Sequence, residues 1–235
     1  MFHKKLGNTG EMIPDIGLGT WSYTGGSYPL QKGVSLGASH IDTAEMYGTE
    51  ETVGRAIEGM RNQVFLTTKV SPVNFNHGNV IKSAEGSLRL LGTEYIDLYL
   101  LHWPNNNIPI GETMGAMDQL LTQGKIRFIG VSNFSVDQLM EAQSVTSNPI
   151  VINQVEYSLY TRKIEQDLIP YCVSNNITIT AYSPISTVLS RSKKQLANTL
   201  KSIARDLGKT ETQVALNWCT AHEGVITIPK SNSVK

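Results

Sequence analysis

Short apolar runs rich in β-branched residues recur along the chain, and longer stretches with apolar residues at helical spacing lie between them. This alternation is typical of βα units that carry a buried, parallel sheet. About eight strands close a (β/α) barrel, so we predict one (β/α)8 TIM barrel domain over residues 1–235. The predicted strands are residues 16–19, 39–42, 64–70, 96–101, 128–131, 151–155, 177–181 and 225–228.

The intervening stretches predict helices, several of them preceded by a capping residue. Ser135 and Thr210 are the predicted N-caps, since a run of helix formers follows each of them. Pro170 should kink its helix, because proline has no N–H for the helical hydrogen bonds. The predicted helices are residues 50–60, 80–91, 112–122, 135–144, 163–175 and 193–207.

The N-terminal segment predicts a β-hairpin. Residues 1–6 lead into the turn sequence Gly7-Asn8-Thr9-Gly10, and Met12-Ile13 follows. Glycine and asparagine supply the backbone freedom that a tight turn needs. We expect this N-terminal β-hairpin to close the floor of the barrel.

Composition narrows the class of partner. The 20 basic and 20 acidic residues give no net charge, which argues against nucleic acid and anionic membranes as partners. Cys172 and Cys219 have neither metal-binding nor disulfide-framework spacing, and no window has the length of a membrane span. We expect a cytoplasmic protein, a monomer or weak homo-oligomer, that binds a small molecule.

Polar residues at the strand ends are the main functional candidates, because barrel chemistry takes place at the C-terminal ends of the strands. Asp42, Lys69 and His102 follow three successive strands, and Tyr47 lies in the loop after Asp42. Each has an ordinary explanation: a loop cap for Asp42, a rim aromatic for Tyr47, a core histidine for His102. Only Lys69 is hard to explain, since a lysine is rarely buried unless it is paired.

Together, these four side chains have the parts needed to reduce a carbonyl group. Hydride addition makes an alkoxide, which needs a proton donor, and Tyr47 is the candidate. A nearby ammonium lowers the pKa of a phenol, so we expect Lys69 to tune Tyr47 and Asp42 to hold Lys69. His102 would donate a hydrogen bond to the same carbonyl oxygen.

Six motifs along the chain resemble those of the aldo-keto reductase family, and the resemblance runs from Leu6 to the C-terminal end. It implies that Asp42, Tyr47, Lys69 and His102 form the catalytic tetrad of that family, with tyrosine as the acid in reduction and the base in oxidation. It also implies an NADP-dependent reaction, and we expect that no metal takes part in it. The motifs are residues 41–48, 68–70, 101–104, 130–134, 153–154 and 181–184.

No Gly-x-Gly-x-x-Gly loop follows a strand, so loops of the barrel would have to hold the cofactor. Ser132, Asn133 and Gln154 are suited to a planar carboxamide, although turn capping would also explain Ser132. Tyr182 could present its ring face to the nicotinamide. By resemblance, these four residues bind the nicotinamide, and the pyrophosphate path is lined by Ser183, Pro184 and Ile185.

The phosphate end of the cofactor is predicted near the last strand. Lys230, Ser231 and Asn232 follow it and are suited to bind a phosphate, although a surface lysine without a role is the alternative. In the family this stretch binds the adenosine 2′-phosphate, so we expect NADP(H) rather than NAD(H). Thr20, Trp21 and Asp42 complete the predicted cofactor site.

Trp21, Tyr47, His102 and Trp103 are the predicted substrate contacts, although both tryptophans could equally be core packing. Two other functions stay open. A Schiff-base lyase would use Lys69 as a nucleophile, and a regulatory subunit would bind the cofactor without catalysis.

Three stretches are shorter than the resemblance leads us to expect: residues near 22–38, residues 185–192 and the region after 235. In the first, only residues 31–36 look helical, which is brief for a barrel helix. Because losing a helix would expose an apolar strand face, we expect omitted segments rather than a trimmed barrel.

Overall fold

The computed structural model describes residues 1–189 and 194–234. Within them, eight parallel strands form one sheet in the order in which they occur along the chain. A parallel bridge between Ile16, two residues before the first of these strands, and Thr227 of the last strand closes the sheet. The strands are β3 (Leu18–Gly19), β4 (His40–Asp42), β5 (Phe65–Val70), β6 (Ile96–Leu101), β7 (Ile126–Ser132), β8 (Ile150–Glu156), β9 (Thr178–Tyr182) and β10 (Val225–Thr227).

Helices follow the strands and cover the outside of the sheet, which confirms the predicted (β/α)8 TIM barrel. The helices of the described residues are α1 (Ser27–Ser35), α2 (Glu50–Ile57), α3 (His77–Leu91), α4 (Ile110–Thr122), α5 (Val136–Ser144), α6 (Leu168–Ser174), α7 (Ser186–Leu189), α8 (Lys194–Asp206) and α9 (Glu211–Thr220).

The predicted hairpin is confirmed. Strand β1 (His3–Lys5) pairs antiparallel with β2 (Met12–Pro14). Leu6 and Ile13 are buried against Leu98 and Leu100 of the barrel interior. The Gly7 amide donates to Thr178 Oγ1, at the first residue of β9, over 2.9 Å. The hairpin therefore closes the N-terminal end of the barrel, which we call the floor.

Alternation along the strands separates the two sides of the barrel wall. On β6, Leu98 and Leu100 face the interior, whereas Tyr99 and Leu101 pack in the layer under the helices. Successive side chains on a strand point to opposite faces. This period places polar residues at the C-terminal ends of β4 and β5 inside the barrel, at the end opposite the hairpin, which we call the mouth.

Two helix predictions need correction. Residues 163–175 do not form one kinked helix: a 3-10 turn over Lys163–Glu165 precedes α6, and Pro170 lies in the first turn of α6. Proline is tolerated there because the first N–H groups of a helix have no partner inside it. Helix α1 is also longer than the predicted helical piece at 31–36.

The two predicted N-caps are confirmed. Ser135 and Thr210 each form a capping box, with a glutamine three residues later. The loop predicted over residues 185–192 is wrong for part of its length, because Ser186–Leu189 form the short helix α7. Residues 190–193 lie outside the described part of the chain. None of the described helices is both long and apolar enough to cross a bilayer.

Candidate active site

Two side chains of the predicted tetrad lie on neighbouring strands at the mouth. Asp42 is the last residue of β4, and Lys69 lies near the end of β5, where Asp42 pairs with Thr67 in the parallel register. Lys69 Nζ donates to Asp42 Oδ1 over 2.6 Å and to the Thr43 carbonyl over 2.7 Å. Both side chains are buried, at 2% exposure or less. The contact confirms that the two residues are brought together as an ion pair.

Tyr47 and His102 meet above this pair. Tyr47 ends a 3-10 turn after β4, and His102 directly follows β6. The Tyr47 hydroxyl lies 3.2 Å from His102 Nε2, and the two rings pack edge to face at 5.3 Å. Lys69 Nζ lies 4.9 Å from the centre of the Tyr47 ring. A hydroxyl, an imidazole and an ammonium therefore converge at one place in the mouth.

Gly48 allows the chain to turn after Tyr47 and to enter helix α2. Its φ of 66° lies in the left-handed region, which glycine enters without steric cost. Helix α2 then starts two residues later, so the Tyr47 turn is held between β4 and α2.

The pKa of Tyr47 differs from the sequence-based expectation. Burial raises the pKa of Tyr47 well above its usual value, and the negative charge of Asp42 raises it further. The net displacement is therefore opposite to the lowering expected from Lys69, because desolvation disfavours the charged phenolate. Tyr47 keeps its proton at neutral pH, which suits a proton donor.

His102 is neutral at physiological pH. Burial lowers the pKa of His102 to about 4, and the Lys69 charge acts in the same direction. A neutral imidazole carries one N–H group, which can donate to an acceptor but cannot serve as the acid that a protonated histidine would be. The two neighbouring groups are thus distinguished electrostatically: Tyr47 holds a transferable proton, and His102 can orient an oxygen.

Burial also lowers the pKa of Lys69, and Asp42 opposes this shift through its charge and its hydrogen bond. A fully buried ammonium without a counter-charge would be strongly destabilising. Asp42 therefore supports Lys69 electrostatically.

The predicted carboxamide residues form one hydrogen-bonded group beside the tetrad. Ser132 Oγ donates to the Gln154 carbonyl over 2.9 Å, and Asn133 Nδ2 donates to Ser132 Oγ over 3.0 Å. The Tyr182 hydroxyl donates to Asn133 Oδ1 over 3.0 Å. Gln154 Nε2 also donates to Asp42 Oδ2 over 2.7 Å, a contact that the sequence did not predict. The amide group and the ion pair are thus linked through Asp42.

Two of the predicted cofactor residues have strained backbones. Asn133 has a φ of 64° and Ser183 a φ of 52°, both in the left-handed region. Such conformations in residues other than glycine are costly and cluster at functional sites. Pro184 is buried and Ile185 half-buried beside them. The loop ends after β7 and β9 are therefore held in particular conformations.

The predicted phosphate residues lie at the surface beyond β10. Lys230, Ser231 and Asn232 are all exposed. Lys230 Nζ donates to the Ser22 carbonyl over 3.1 Å, and Asn232 Oδ1 accepts from the Thr24 amide over 3.2 Å. Water reaches the lysine, so an anion can also reach it.

The two tryptophans are exposed rather than packed in the core. Trp21 is 67% exposed and Trp103 is 48% exposed. The core-packing alternative is therefore wrong for both residues. Trp103 directly follows His102, and Trp21 follows the buried Thr20, whose hydroxyl donates to the Asp42 carbonyl over 2.9 Å.

Sequence reasoning missed a network of threonine hydroxyls under the Tyr47 turn. Thr49 Oγ1 lies 3.0 Å from Thr20 Oγ1 and 2.9 Å from Thr43 Oγ1, and all three residues are buried. Single threonines in loops carry no recognisable signal, although Thr43 belongs to the motif around Asp42. The network joins the residues that directly follow β3 and β4 to the N-cap residue of α2.

Nowhere in residues 1–189 and 194–234 do three or more His, Cys, Asp or Glu side chains gather in a way that could hold a metal ion.

The fold and the site define a class of protein: a closed (β/α)8 barrel with a Tyr–His–Lys–Asp group at its mouth. The description "Aldo/keto reductase family" belongs to a family model that matches residues 15–235. The chain belongs to the aldo-keto reductase family, a family of oxidoreductases.

Individual relatives agree with this assignment. Methylglyoxal reductase YeaE of Escherichia coli is 40% identical over 94% of this chain and 82% of its own length. The structure of the thermostable aldo-keto reductase Tm1743 with the inhibitor epalrestat superposes with a TM-score of 0.94 and 41% identity, covering 100% of this chain and 90% of that one. A Klebsiella pneumoniae aldo/keto reductase with NADP and acetate has a TM-score of 0.92 and 37% identity, covering 99% and 86%.

Proposed function

We propose that this chain reduces the carbonyl group of small aldehydes or ketones to alcohols, with NADPH as the hydride donor and Tyr47 as the proton donor. One observation carries the proposal: the Tyr47 hydroxyl lies 3.2 Å from His102 Nε2, beside an ammonium that is held by Asp42. A carbonyl oxygen placed between the hydroxyl and the imidazole would meet two donors.

The residues at the mouth fit a nicotinamide cofactor. Ser132, Asn133 and Gln154 offer donors and acceptors in one buried or half-buried group, and Tyr182 presents a half-buried ring next to them. Lys230 is an accessible cation for a phosphate group. The neighbouring Klebsiella enzyme contains NADP, and the same cofactor is our proposal here. When bound, NADPH supplies hydride to the carbonyl carbon.

The chain itself would handle the proton. Tyr47 is protonated at neutral pH because burial and Asp42 raise its pKa. As negative charge develops on the carbonyl oxygen, the Tyr47 proton moves to it, and the Lys69 ammonium stabilises the phenolate that remains. His102, neutral because its pKa is about 4, donates its N–H to the same oxygen and orients it. In the reverse direction the phenolate would be the base.

The structure disfavours Lys69 as a Schiff-base nucleophile. Its side chain has 0% exposure, and Nζ donates to both Asp42 and the Thr43 carbonyl. A nucleophilic amine must be deprotonated and must reach a carbonyl carbon, and this nitrogen is already surrounded by acceptors.

Replacing Tyr47 by phenylalanine tests the proposal. NADPH oxidation would be followed against a panel of aldehydes, ketones and sugars, with NADH in parallel. We expect Tyr47→Phe to lower kcat by about 10²–10⁴-fold, because general acid catalysis contributes roughly this much. NADPH binding, followed by fluorescence, should persist.

Tyr28→Phe is the matched control, because Tyr28 is 65% exposed on α1, and it should leave the rate unchanged. Full activity of Tyr47→Phe would contradict the assigned proton donor. Cofactor binding without turnover of any substrate by the unmodified protein would instead favour the non-catalytic regulatory subunit.

A further inference from the structure

A buried carboxyl group lies behind the barrel wall, next to the site but outside it. Glu50 is the first residue of α2 and is only 2% exposed. A fully buried glutamate is rare unless it has a partner. Its Oε1 accepts a hydrogen bond from Thr68 Oγ1 over 2.6 Å. This contact takes no part in the proton transfer described above.

The position of Thr68 makes the contact significant. Thr68 directly precedes Lys69 on β5 and is itself buried. Because side chains alternate along a strand, Lys69 faces the mouth while Thr68 faces the helices. The Glu50–Thr68 bond therefore ties the start of α2 to the strand residue adjacent to Lys69.

The Glu50–Thr68 bond also lies close in sequence to the Tyr47 turn. Tyr47 precedes Glu50 by three residues, and Gly48 and Thr49 lie between them. The N-cap residue Thr49 makes no side-chain capping bond to α2; its hydroxyl is engaged with Thr20 and Thr43 instead. The start of this helix is thus held by contacts to strands of the barrel.

The Glu50 carboxyl group interacts electrostatically with charged residues of the site. Burial raises the pKa of Glu50, and so does the neighbouring Glu45, whereas the hydroxyls of Thr68 and Ser87 and the Lys69 ammonium oppose this rise. Glu50 in turn raises the pKa of Lys69. The buried Tyr99 phenol also lies within its electrostatic reach.

We propose that Glu50 is a positioning residue for Tyr47: its hydrogen bond to Thr68 fixes the Tyr47 turn against β5, so that the hydroxyl stays in register with His102 and Lys69. The inference rests on the proposed role of Tyr47 as proton donor. A misplacement of the donor by a fraction of an ångström is enough to slow the reaction, because reactivity depends steeply on orientation.

Thr68→Val is the first test, because it removes the hydroxyl and keeps the shape of the side chain. We expect kcat to fall about tenfold, with KM and NADPH affinity unchanged within about twofold, since the site is misaligned rather than lost. Glu50→Ala should give the same loss. Glu50→Gln keeps an oxygen that accepts from Thr68 and should recover most of the rate.

Thr178→Val is the matched control. Thr178 is a buried strand threonine that is also hydrogen-bonded, but it lies at the floor, on β9. Its loss should lower the melting temperature about as much as Thr68→Val does and leave kcat unchanged. Equal melting shifts with a kcat loss only for Thr68→Val would separate positioning from stability.

A double variant shows whether the effect passes through Tyr47. In a Tyr47→Phe background, Thr68→Val should lower the residual rate no further, because the group it positions is already absent. A further tenfold loss there would overturn the proposal, as would an unchanged kcat in Thr68→Val. The proposal would also be overturned if Glu50→Gln lost all activity while Thr68→Val stayed active. That result would show that the charge of Glu50, and not its hydrogen bond to Thr68, is what matters. Full activity of Tyr47→Phe by itself would instead contradict the proposed function.

Discussion

The mouth and the floor of the barrel each contain a buried aspartate between neighbouring strands. Asp42 at the mouth is 1% exposed and Asp97 at the floor is 2% exposed. Asp42 accepts from Lys69 and Gln154. Asp97 accepts from Arg61 over 2.7 Å, from Arg127 over 2.6 Å and from the Leu66 amide over 2.9 Å. The residue type and burial are the same, but the surroundings differ.

The partners decide what each carboxylate can do. At the floor, the arginine side chains are 18% and 40% exposed, and a guanidinium does not lose its proton in proteins. At the mouth, the cation is a fully buried lysine with a phenol and an imidazole above it. Arg127 also pairs with Glu11 of the hairpin. Asp97, which is paired with arginines, therefore stabilises the contacts between the strands and the hairpin. Asp42, which is paired with a lysine, instead stabilises a group of side chains that can exchange protons.

The largest effect in this comparison is expected from Asp42→Asn. It leaves the buried Lys69 without its counter-charge and places an amide opposite Gln154 Nε2. We expect kcat to fall about 100-fold and unfolding to become easier by about 3 kcal/mol, since one partner of a buried pair is lost. Steady-state kinetics and denaturant melts measure the two effects. A variant with full activity would remove Asp42 from the catalytic group.

The same substitution at the floor, Asp97→Asn, should affect stability alone. We expect a loss of about 2 kcal/mol, less than at the mouth because water screens the arginines. The kcat value should stay within about twofold. Glu51→Gln is the control, because the Glu51–Arg55 pair is 69% and 56% exposed and an exposed pair contributes less than about 0.5 kcal/mol. A large kcat loss in Asp97→Asn would show that the two ends are coupled.

The smallest effect is expected from His40, a buried histidine whose pKa is influenced by both Asp42 and Asp97. Its Nε2 lies 2.9 Å from Thr67 Oγ1. Burial lowers the pKa of His40 to about 4, against opposing shifts from Asp42 and Asp97 and with a lowering contribution from Lys69.

The unfolded chain, with a histidine pKa near 6.5, therefore binds the proton more tightly than the folded one. The stability from His40 is present above about pH 6.5 and is lost as the pH falls toward about 4. Between about pH 8 and pH 5.5, His40 should account for a loss of about 1 kcal/mol. Denaturant melts over this range should show a smaller loss for His40→Gln, with the exposed His3→Gln as control. Identical pH profiles for His40→Gln and the unmodified protein would contradict the assignment.

Elements with a strong local signal were predictable. The apolar runs of β5 and β6 and the capping boxes at Ser135 and Thr210 depend on neighbours in sequence, and the structure confirms them. The error at Pro170 has a local cause as well. A proline in a helical pattern marks either a kink or a first turn, and only the position of the helix start distinguishes them.

The candidate site was predictable in its members but not in its contacts. Asp42, Lys69 and His102 follow strands, and strand ends meet at one end of a barrel, so their proximity followed from the fold class. The Gln154–Asp42 bond joins residues 112 positions apart, and the Glu50–Thr68 bond crosses the barrel wall. Such contacts depend on strand register and helix placement, which leave little trace in a single sequence.

By itself, the sequence determined the alternation of strands and helices, the polar residues at the mouth and the family to which the motifs point. Those properties depend on local periodicity and residue chemistry. Only the tertiary structure decided which way the pKa of Tyr47 is displaced and why Asp42 and Asp97 differ. These outcomes depend on desolvation and on the distance to groups from other strands, and both exist only once the barrel has closed.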